Sequence, residues 1–219
     1  MALFLAMTTR NVLADGREPI RYVALGDSYT IGRGVSPEEA WPAVLVKHLQ
    51  REGVDVSLLA NLGSSGSTAE DVRAVQVPIY RNLKADFVSL LIGSNDWVRG
   101  VSPEEFRGRL SGLMDEIIAA LPKKDRLLIV TIPDFSVTPL GPEFSVGRDI
   151  SRGLGRFNKI IKEEATKRKL AVVDIFPMSR DAEKDNALIS DDGLHPSARG
   201  YAAWEEAIFP VAKKILKKR

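Results

Sequence analysis

Short apolar runs rich in β-branched residues recur along the chain, and longer amphipathic stretches separate them. The runs occupy residues 21–25, 54–59, 87–92, 126–132 and 170–175. Their continuous hydrophobicity is typical of strands that are buried on both faces, as they are in parallel sheets. Helical patterns cover residues 37–51, 69–83, 103–121, 146–169 and 196–219. We expect Pro78 and Pro210 to interrupt the second and the last of these helices, because proline lacks a backbone N–H.

This alternation predicts an α/β fold: a three-layer α/β/α, flavodoxin-like architecture around a doubly wound, five-stranded, mainly parallel sheet. A chain of 219 residues is long enough for one well-buried core and short for two ordinary domains. We therefore expect a single domain at residues 20–219, preceded by an N-terminal tail at residues 1–19. Right-handed crossovers place the strand-to-helix loops at one edge of the sheet, so residues in those loops should meet there.

The composition excludes several classes of function. Because 31 Lys and Arg residues balance 29 Asp and Glu residues, the formal charge of +2 gives no field that would favour nucleic acid. The cationic residues 213–219 are expected to be a solvated helix end that complements the helix dipole. No stretch approaches the roughly 18 consecutive apolar residues of a transmembrane helix, which argues against integral membrane association. The absence of cysteine excludes disulfides, thiolate catalysis and cysteine-based zinc sites.

The N-terminal residues resemble only part of a signal peptide. Residues 1–7 are apolar and residues 12–14 end in a small side chain, but no positive charge precedes the apolar run and Arg10 lies between the two segments. A degraded signal, an ordinary tail and a cloning remnant stay open as alternatives. We expect a cytoplasmic location, or a secreted or periplasmic one if residues 1–14 are a signal remnant. The sequence does not predict the oligomeric state.

The loop after the first predicted strand reads Gly26-Asp27-Ser28-Tyr29 and leads through the glycine-containing residues 30–34 to the first helix. A serine in that turn would stand at the sheet edge with its hydroxyl exposed and backbone N–H groups pointing the same way. Taken alone, Gly-Asp-Ser is equally consistent with plain turn chemistry.

The next two loops hold candidates for binding negative charge. Gly63, within residues 61–68, could bring a backbone N–H close to a ligand. The alternative is a flexible turn in which Ser67 or Thr68 caps the following helix. Asn95, after the third strand, could donate a carboxamide hydrogen to a developing negative charge, although Asn-Asp is also common in turns.

The loop before the last helix contains Asp192 and His195, three residues apart. In a turn, this spacing lets the carboxylate accept the imidazole Nδ1–H and leaves Nε2 to take a proton. His48, the other histidine, lies in a charged helical segment and is expected to be a surface or packing residue.

Predicted topology brings these four loops to one edge of the sheet. There, Ser28 would be a nucleophile, His195 its general base and Asp192 the group that orients the base, while Gly63 and Asn95 would donate to an oxyanion. These parts together predict acyl transfer.

The sequence here resembles the SGNH/GDSL hydrolases (GDSL-like lipases and esterases), which are named for a Ser, a Gly, an Asn and a His in separate blocks. The blocks appear in order as GDSYT, NLGSSGS, GSND and DGLHP, and the resemblance spans about residues 20–210. Tyr29 stands where the family name has leucine, which we interpret as a change beside the pocket. The resemblance implies that Asp27 holds the nucleophile turn by hydrogen bonds rather than reacting.

The family resemblance also implies a catalytic triad of Ser28, Asp192 and His195. It implies an oxyanion hole made by the Ser28 N–H, the Gly63 N–H and the Asn95 side chain. It implies no metal and no cofactor.

On this interpretation the chain is a serine esterase that hydrolyses short-acyl carboxylic esters, small-molecule substrates, through an acyl-enzyme intermediate. Lysophospholipase, acyl-thioesterase and carbohydrate O-acetylesterase activities stay open as alternatives for the same site, because a fold does not choose among substrates. Trp97, Phe135 and Tyr29 are candidate substrate-binding residues, whereas Trp41 is equally consistent with the core. Residues 133–145, a long connection with three prolines, are expected to form a wall of the site.

Other classes fit the sequence less well. A flavodoxin-like module that holds a phosphate or nucleotide without chemistry would need G-x-G-x-x-G or G-x-x-x-x-G-K-[ST], and the chain contains neither. Two distant histidines without H-E-x-x-H cannot build the usual zinc sites. A hydrolase of the nucleophile-elbow type would need G-x-S-x-G, which is also missing.

Overall fold

The structure is a computed structural model that describes residues 18–217. Its strands are β1 Ile20–Gly26, β2 Val56–Asn61, β3 Phe87–Leu91, β4 Leu127–Val130 and β5 Ala171–Val173. They form one sheet in the order β2-β1-β3-β4-β5, and every neighbouring pair is parallel. The predicted flavodoxin-like, doubly wound sheet is confirmed, and in the described part of the chain it is wholly parallel.

Helices cover both faces of this sheet. They are α1 Ser28–Ile31, α2 Trp41–Arg51, α3 Ala69–Asp71, α4 Val77–Leu83, α5 Ser94–Val98, α6 Pro103–Ala120, α7 Ile150–Lys167, α8 Phe176–Ser179 and α9 Ala198–Lys217. On one face, α2 and α9 pack together, and on the other α4, α6 and α7 share a second apolar cluster. Tyr22 of β1 faces the first cluster and Val23 the second, which is why the strands are hydrophobic without alternation.

The order of the strands positions the functional loops. The chain winds in opposite directions from β1, because β2 lies on one side of it and β3 on the other. Such a switch point opens a crevice beyond the carboxyl ends of the strands, where α/β folds bind ligands. Ser28 follows β1 at this crevice.

The predicted interruption at Pro210 is wrong, and the one predicted at Pro78 lies just before that residue, as a π-turn. α9 continues from Ala198 to Lys217 with Pro210 inside it, at an exposed position. α3 and α4 are joined by the π-turn Val72–Gln76, so the backbone stays helical from one to the other. The Val77 N–H donates to the carbonyl of Val72, five residues back. This wider turn precedes Pro78, which has no N–H to contribute and whose ring would crowd a regular α-turn.

Several sequence predictions concern the chain ends. The signal-like residues 1–14, and residues 218–219 of the cationic end, lie outside the described residues, so the predicted location stays a prediction. Lys213 of the cationic end pairs with Glu52, Nζ to Oε2 at 2.6 Å. No helix among residues 18–217 has both the length and the apolar character that crossing a bilayer requires.

Candidate active site

The turn after β1 presents Ser28 at the first position of α1. The Asp27 carboxylate caps this helix, because its Oδ1 accepts from the Tyr29 N–H at 3.0 Å. Gly32 closes the helix with a φ of 84°, a left-handed conformation that glycine adopts without strain. Trp41 is a buried core residue whose indole N–H donates to the Tyr29 carbonyl at 3.1 Å. Because Ser28 is the first residue of α1, its N–H takes no part in the hydrogen bonds of that helix.

Ser28, His195 and Asp192 are joined by a continuous chain of hydrogen bonds. His195 Nε2 lies 2.9 Å from Ser28 Oγ, and His195 Nδ1 lies 2.7 Å from Asp192 Oδ2. The other Asp192 oxygen accepts from the backbone N–H groups of Leu194 and His195, each at 2.9 Å. An ionised carboxylate can only accept, so Nδ1 carries the hydrogen and Nε2 is left to accept the hydroxyl hydrogen of Ser28.

The environment keeps Asp192 ionised and His195 neutral. Burial opposes ionisation of Asp192, but hydrogen bonds from the His195 and Leu194 N–H groups, and from the imidazole, outweigh it and lower the pKa of Asp192 to about 2. Burial also lowers the pKa of His195 below its ordinary value of 6.5, and the interaction with Asp192 offsets only part of that effect. A neutral imidazole beside a hydroxyl is what a general base requires.

Gly63, the predicted oxyanion donor of the loop after β2, packs against the nucleophile turn. Its N–H already donates to Asn61 Oδ1 at 3.2 Å. A Cβ at Gly63 would stand 2.5 Å from the Ile31 nitrogen and 2.9 Å from the Asp27 carbonyl oxygen, against the nucleophile turn. Glycine is therefore required here for close packing of the loop on that turn.

Asn95, in the first turn of α5, lines the cleft beside Ser28. One hydrogen of its carboxamide goes to the Ser67 carbonyl at 3.0 Å, which fixes the side chain and leaves the second hydrogen for a ligand. Gly66 precedes Ser67, and its carbonyl accepts from Arg99 Nη2 at 2.8 Å. Among residues 18–217 the Gly66 N–H has no hydrogen-bond acceptor.

Two polar residues that sequence reasoning missed lie beneath the cleft. Ser94 Oγ donates to Asp27 Oδ2, and Asp96 Oδ2 accepts from the Ala69 N–H at 2.9 Å. Both carboxylates are fully buried. Burial raises the pKa of Asp27 to about 7, against the hydrogen bonds from Ser94 and Tyr29. Because Asp27 has no exposed surface, it supports the turn and cannot touch a substrate.

A cleft of about 310 Å³, partly open to solvent, lies over Ser28 and His195. Tyr29 and Phe135, two of the predicted substrate-binding residues, line it, and their binding role stays a prediction. Trp97, the third predicted substrate-binding residue, is not among the residues that line it. Trp97 packs in the core behind Phe135, with ring centroids 6.2 Å apart, and the guanidinium of Arg148 lies 4.1 Å from the centre of its ring. The indole is thus enclosed by the protein's own residues.

Residues 133–145 form one wall of the cleft, through Phe135 and the unpredicted Phe144. The Leu140 N–H in this segment donates to the Gly193 carbonyl at 2.8 Å, which ties the wall to the loop that carries His195. Within residues 18–217, no three His, Asp or Glu side chains cluster as metal ligands would.

His48 lies outside the site. Its Nδ1 is 3.1 Å from Glu205 Oε1, and its ring stacks on Phe209 at 3.6 Å between centroids. It is a packing residue, as expected.

Fold and site together define a carboxylic ester hydrolase built on a flavodoxin-like sheet. The sequence matches the GDSL-like Lipase/Acylhydrolase family over residues 24–203, and the chain belongs to this family. The resemblance drawn from the four sequence blocks is thereby confirmed.

Similar proteins agree with this assignment. The chain is 24% identical to the esterase TesA of Pseudomonas aeruginosa over 194 residues, which cover 89% of this chain and 88% of TesA. A solved lipase/acylhydrolase from Enterococcus faecalis is similar with a TM-score of 0.73 and 23% identity, covering 91% of this chain and 98% of that chain. A family 3 carbohydrate esterase from Clostridium thermocellum has a TM-score of 0.73 at 21% identity, with coverage of 91% and 98%. At these identities the structural likeness shows a shared fold.

Proposed function

We propose that this chain is a serine esterase that hydrolyses short-acyl carboxylic esters through an acyl-enzyme intermediate. The observation that carries the proposal is the unbroken chain of hydrogen bonds from Asp192 through His195 to Ser28 Oγ. Ser28 is the nucleophile, His195 the general base, and Asp192 orients the imidazole. Membership of a family of lipases and acylhydrolases supports the same assignment.

The reaction proceeds in two halves. In acylation, Ser28 Oγ attacks the ester carbonyl carbon while its proton passes to His195 Nε2, and the Asp192 carboxylate stabilises the imidazolium. The bond from the acyl carbon to the alcohol oxygen then breaks as His195 gives that proton to the leaving oxygen. In deacylation, water gives a proton to Nε2 as it attacks the acyl carbon. The bond from the acyl carbon to Ser28 Oγ then breaks as His195 gives that proton to Oγ, and the carboxylic acid leaves.

Negative charge develops on the carbonyl oxygen in both halves. The donors proposed for it are the Ser28 N–H and the second hydrogen of Asn95 Nδ2, both beside the Ser28 hydroxyl. Gly66, rather than Gly63, is the proposed source of the third donor. Two observations support this choice: the Gly66 N–H has no acceptor among the described residues, and Asn95 contacts Ser67 directly after it.

The shape of the cleft supports a short acyl group. Its apolar walls are Val98, Phe135, Phe144 and Leu194, and part of its volume of about 310 Å³ is open to solvent. An added methylene contributes about 0.8 kcal/mol only when it leaves water. A long chain would extend beyond these walls and gain little from its outer methylenes.

The nucleophile is tested by comparing Ser28→Ala with Ser65→Ala, which changes an exposed serine in the loop after β2. Loss of a nucleophile costs on the order of 10⁴ to 10⁶ in kcat, whereas Ser65→Ala should hydrolyse p-nitrophenyl acetate like the wild type. A serine-directed phosphonate should label Ser28, as read by peptide mass spectrometry. A folded Ser28→Ala variant that keeps more than about a tenth of the turnover contradicts the mechanism.

A further inference from the structure

A buried glutamine outside the proposed catalytic set contacts the nucleophile turn. Gln76 is the last residue of the π-turn between α3 and α4, and only 3% of its surface is exposed. Its Oε1 accepts from the Gly26 N–H at 2.9 Å, and its Nε2 donates to the Gly26 carbonyl at 2.8 Å. One carboxamide thus satisfies both backbone groups of a residue that lies two positions before Ser28.

Strand β2 has ended beside Gly26, and the Ser64 N–H of the following loop donates to the Gly26 carbonyl at 3.2 Å. Pairing between β1 and β2 stops at Ala24 and Asn61, whereas on the other side Gly26 still pairs with Leu91 of β3. A carboxamide carries the same donor and acceptor as a peptide group, so Gln76 supplies the acceptor for the Gly26 N–H and a second donor to the Gly26 carbonyl. A Cβ at Gly26 would stand 2.2 Å from the Leu91 carbonyl oxygen, so the backbone here is closely confined.

The other end of the same helical segment is tied to the Asn95 turn. The Ala69 N–H, at the start of α3, donates to Asp96 Oδ2 at 2.9 Å, and Asn95 Nδ2 donates to the Ser67 carbonyl at 3.0 Å. Residues 67–76 therefore contact the turns of both proposed oxyanion donors. Their first residues contact the turn that carries Asn95, and their last residue, Gln76, contacts the turn that carries Ser28.

We propose that Gln76 is a positioning residue that holds the Ser28 N–H at its working distance from the Asn95 carboxamide. The proposal rests on the proposed function, because it assigns Gln76 to the oxyanion donors of that reaction. Unlike Ser28 and Asn95, Gln76 does not line the cleft and acts only through the backbone of β1. The π-turn matters as well, since it directs Gln76 toward Gly26 just before Pro78.

A positioning role of Gln76 predicts which kinetic constant its loss should change. The oxyanion exists only after attack on the ester, so misaligned donors weaken binding of the transition state and leave binding of the ester nearly unchanged. Small displacements at a reacting centre reduce rates by up to about 100-fold. Loss of the Gln76 contacts should therefore lower kcat and leave KM within about twofold.

The experiment is a double-mutant cycle that uses Gln76→Met, Asn95→Ala and the variant with both changes. Gln76→Met keeps the length of the side chain and removes both hydrogen bonds. Tyr80→Phe is the matched control, because it deletes another buried hydrogen bond of the same segment, from Tyr80 Oη to the Ile117 carbonyl, far from the turn. kcat and KM for p-nitrophenyl acetate are measured for each variant, after circular dichroism has shown that it is folded.

We expect Asn95→Ala to lower kcat roughly 10²- to 10³-fold and Gln76→Met roughly 10- to 100-fold. In the Asn95→Ala background, Gln76→Met should cost less than about threefold, because the donor pair it aligns is already incomplete. Tyr80→Phe should leave kcat unchanged. Should Gln76→Met fail to fold, Gln76→Leu carries the same cycle, since it removes the acceptor for the Gly26 N–H and the donor to the Gly26 carbonyl without adding an ionisable group.

Three results would overturn the proposal, and the third is distinguishable from the other two. An equal loss of kcat from Gln76→Met in both backgrounds, or no loss in the wild type, removes the positioning role and leaves the esterase mechanism intact. If Asn95→Ala alone leaves kcat unchanged, the proposed oxyanion hole fails first, and the role of Gln76 fails with it.

Discussion

His195 experiences two opposing influences on its protonation. Burial at the base of the cleft disfavours the charged imidazolium, whereas the Asp192 carboxylate 2.7 Å away favours it. The first influence is the larger, so the pKa of His195 lies below 6.5. The base is therefore neutral, and able to accept the Ser28 proton, across the neutral range.

This balance predicts the pH dependence of the reaction. As pH rises, kcat/KM should increase with a midpoint below about 6.5, because His195 loses its proton there, and then reach a plateau. Asp192→Asn should move the midpoint further to acid, because it removes the charge that favours imidazolium, and should lower the plateau roughly 10⁴-fold. Initial rates with p-nitrophenyl acetate from about pH 4 to about pH 9 measure both. A midpoint near pH 8, or one that Asp192→Asn moves upward, would contradict the assignment of the base.

Residues differ in how far the sequence predicts their place. Ser28, Asp192 and His195 could be proposed from the sequence because Ser28 directly follows β1, and Asp192 and His195 share a short, distinctive turn before α9. Ser94 and Gln76 could not, since a serine in a turn and a glutamine in a helix are ordinary, and only the packed structure brings them to Asp27 and Gly26.

In the loop after β2, the sequence does not identify which of two glycines could donate to a ligand. It contains Gly63 and Gly66, and either glycine fits a close approach of backbone to ligand. Sequence alone does not say which N–H is taken by a neighbouring side chain. In the structure the Asn61 side chain accepts from the Gly63 N–H, which is why Gly66 is the proposed donor.

At the scale of elements, the strands were predictable and the proline effects were not. Continuous apolar runs identify β1 to β5 because both faces of the sheet are covered, and the observed ends differ from the predicted ones by at most a few residues. A π-turn adds one residue to one turn, which leaves no mark on composition or periodicity. The π-turn before Pro78 accommodates the proline, so the backbone stays helical where a break was expected.

Pro210 offers a test at this scale. It lies exposed inside α9, where it removes one intrahelical hydrogen bond, while buried side chains on both sides of it anchor the helix, among them Ile208 and Ala212. Pro210→Ala restores a donor for the Glu206 carbonyl, and we expect it to raise the free energy of unfolding by roughly 1 to 3 kcal/mol. Guanidinium unfolding followed by circular dichroism measures the change. An unaltered or lower midpoint, with esterase activity retained, would mean that the helix is already adapted to the proline ring.

At the scale of the whole molecule, substrate preference depends on how much of an acyl chain the protein can enclose. The cleft is walled by loops at the edge of one sheet, and its described walls leave it partly open to solvent. The single-domain organisation of residues 20–219 stays a prediction. A surface site of this kind favours small acyl groups over chains that need an enclosed tunnel.

We therefore expect kcat/KM for p-nitrophenyl esters to be highest between acetate and about hexanoate and to fall toward palmitate, because outer methylenes stay in water. The series should include lysophosphatidylcholine, an acyl-CoA and an acetylated sugar. A steady rise to the long chains, or a lipid or thioester substrate that exceeds the short esters, would replace the proposal with lysophospholipase or acyl-thioesterase activity. A dominant acetylated sugar would instead indicate a carbohydrate O-acetylesterase.

The two links of the proposed triad differ in how far they reach along the chain. Asp192 and His195 are three residues apart and can pair as soon as their turn forms, whereas Ser28 and His195 are separated by 167 residues. Bringing such distant segments together is entropically costly and tends to be slow. During refolding, ester turnover should therefore appear after helical content has returned. A nascent chain holds its nucleophile long before it gains a base, and activity reports that folding is complete.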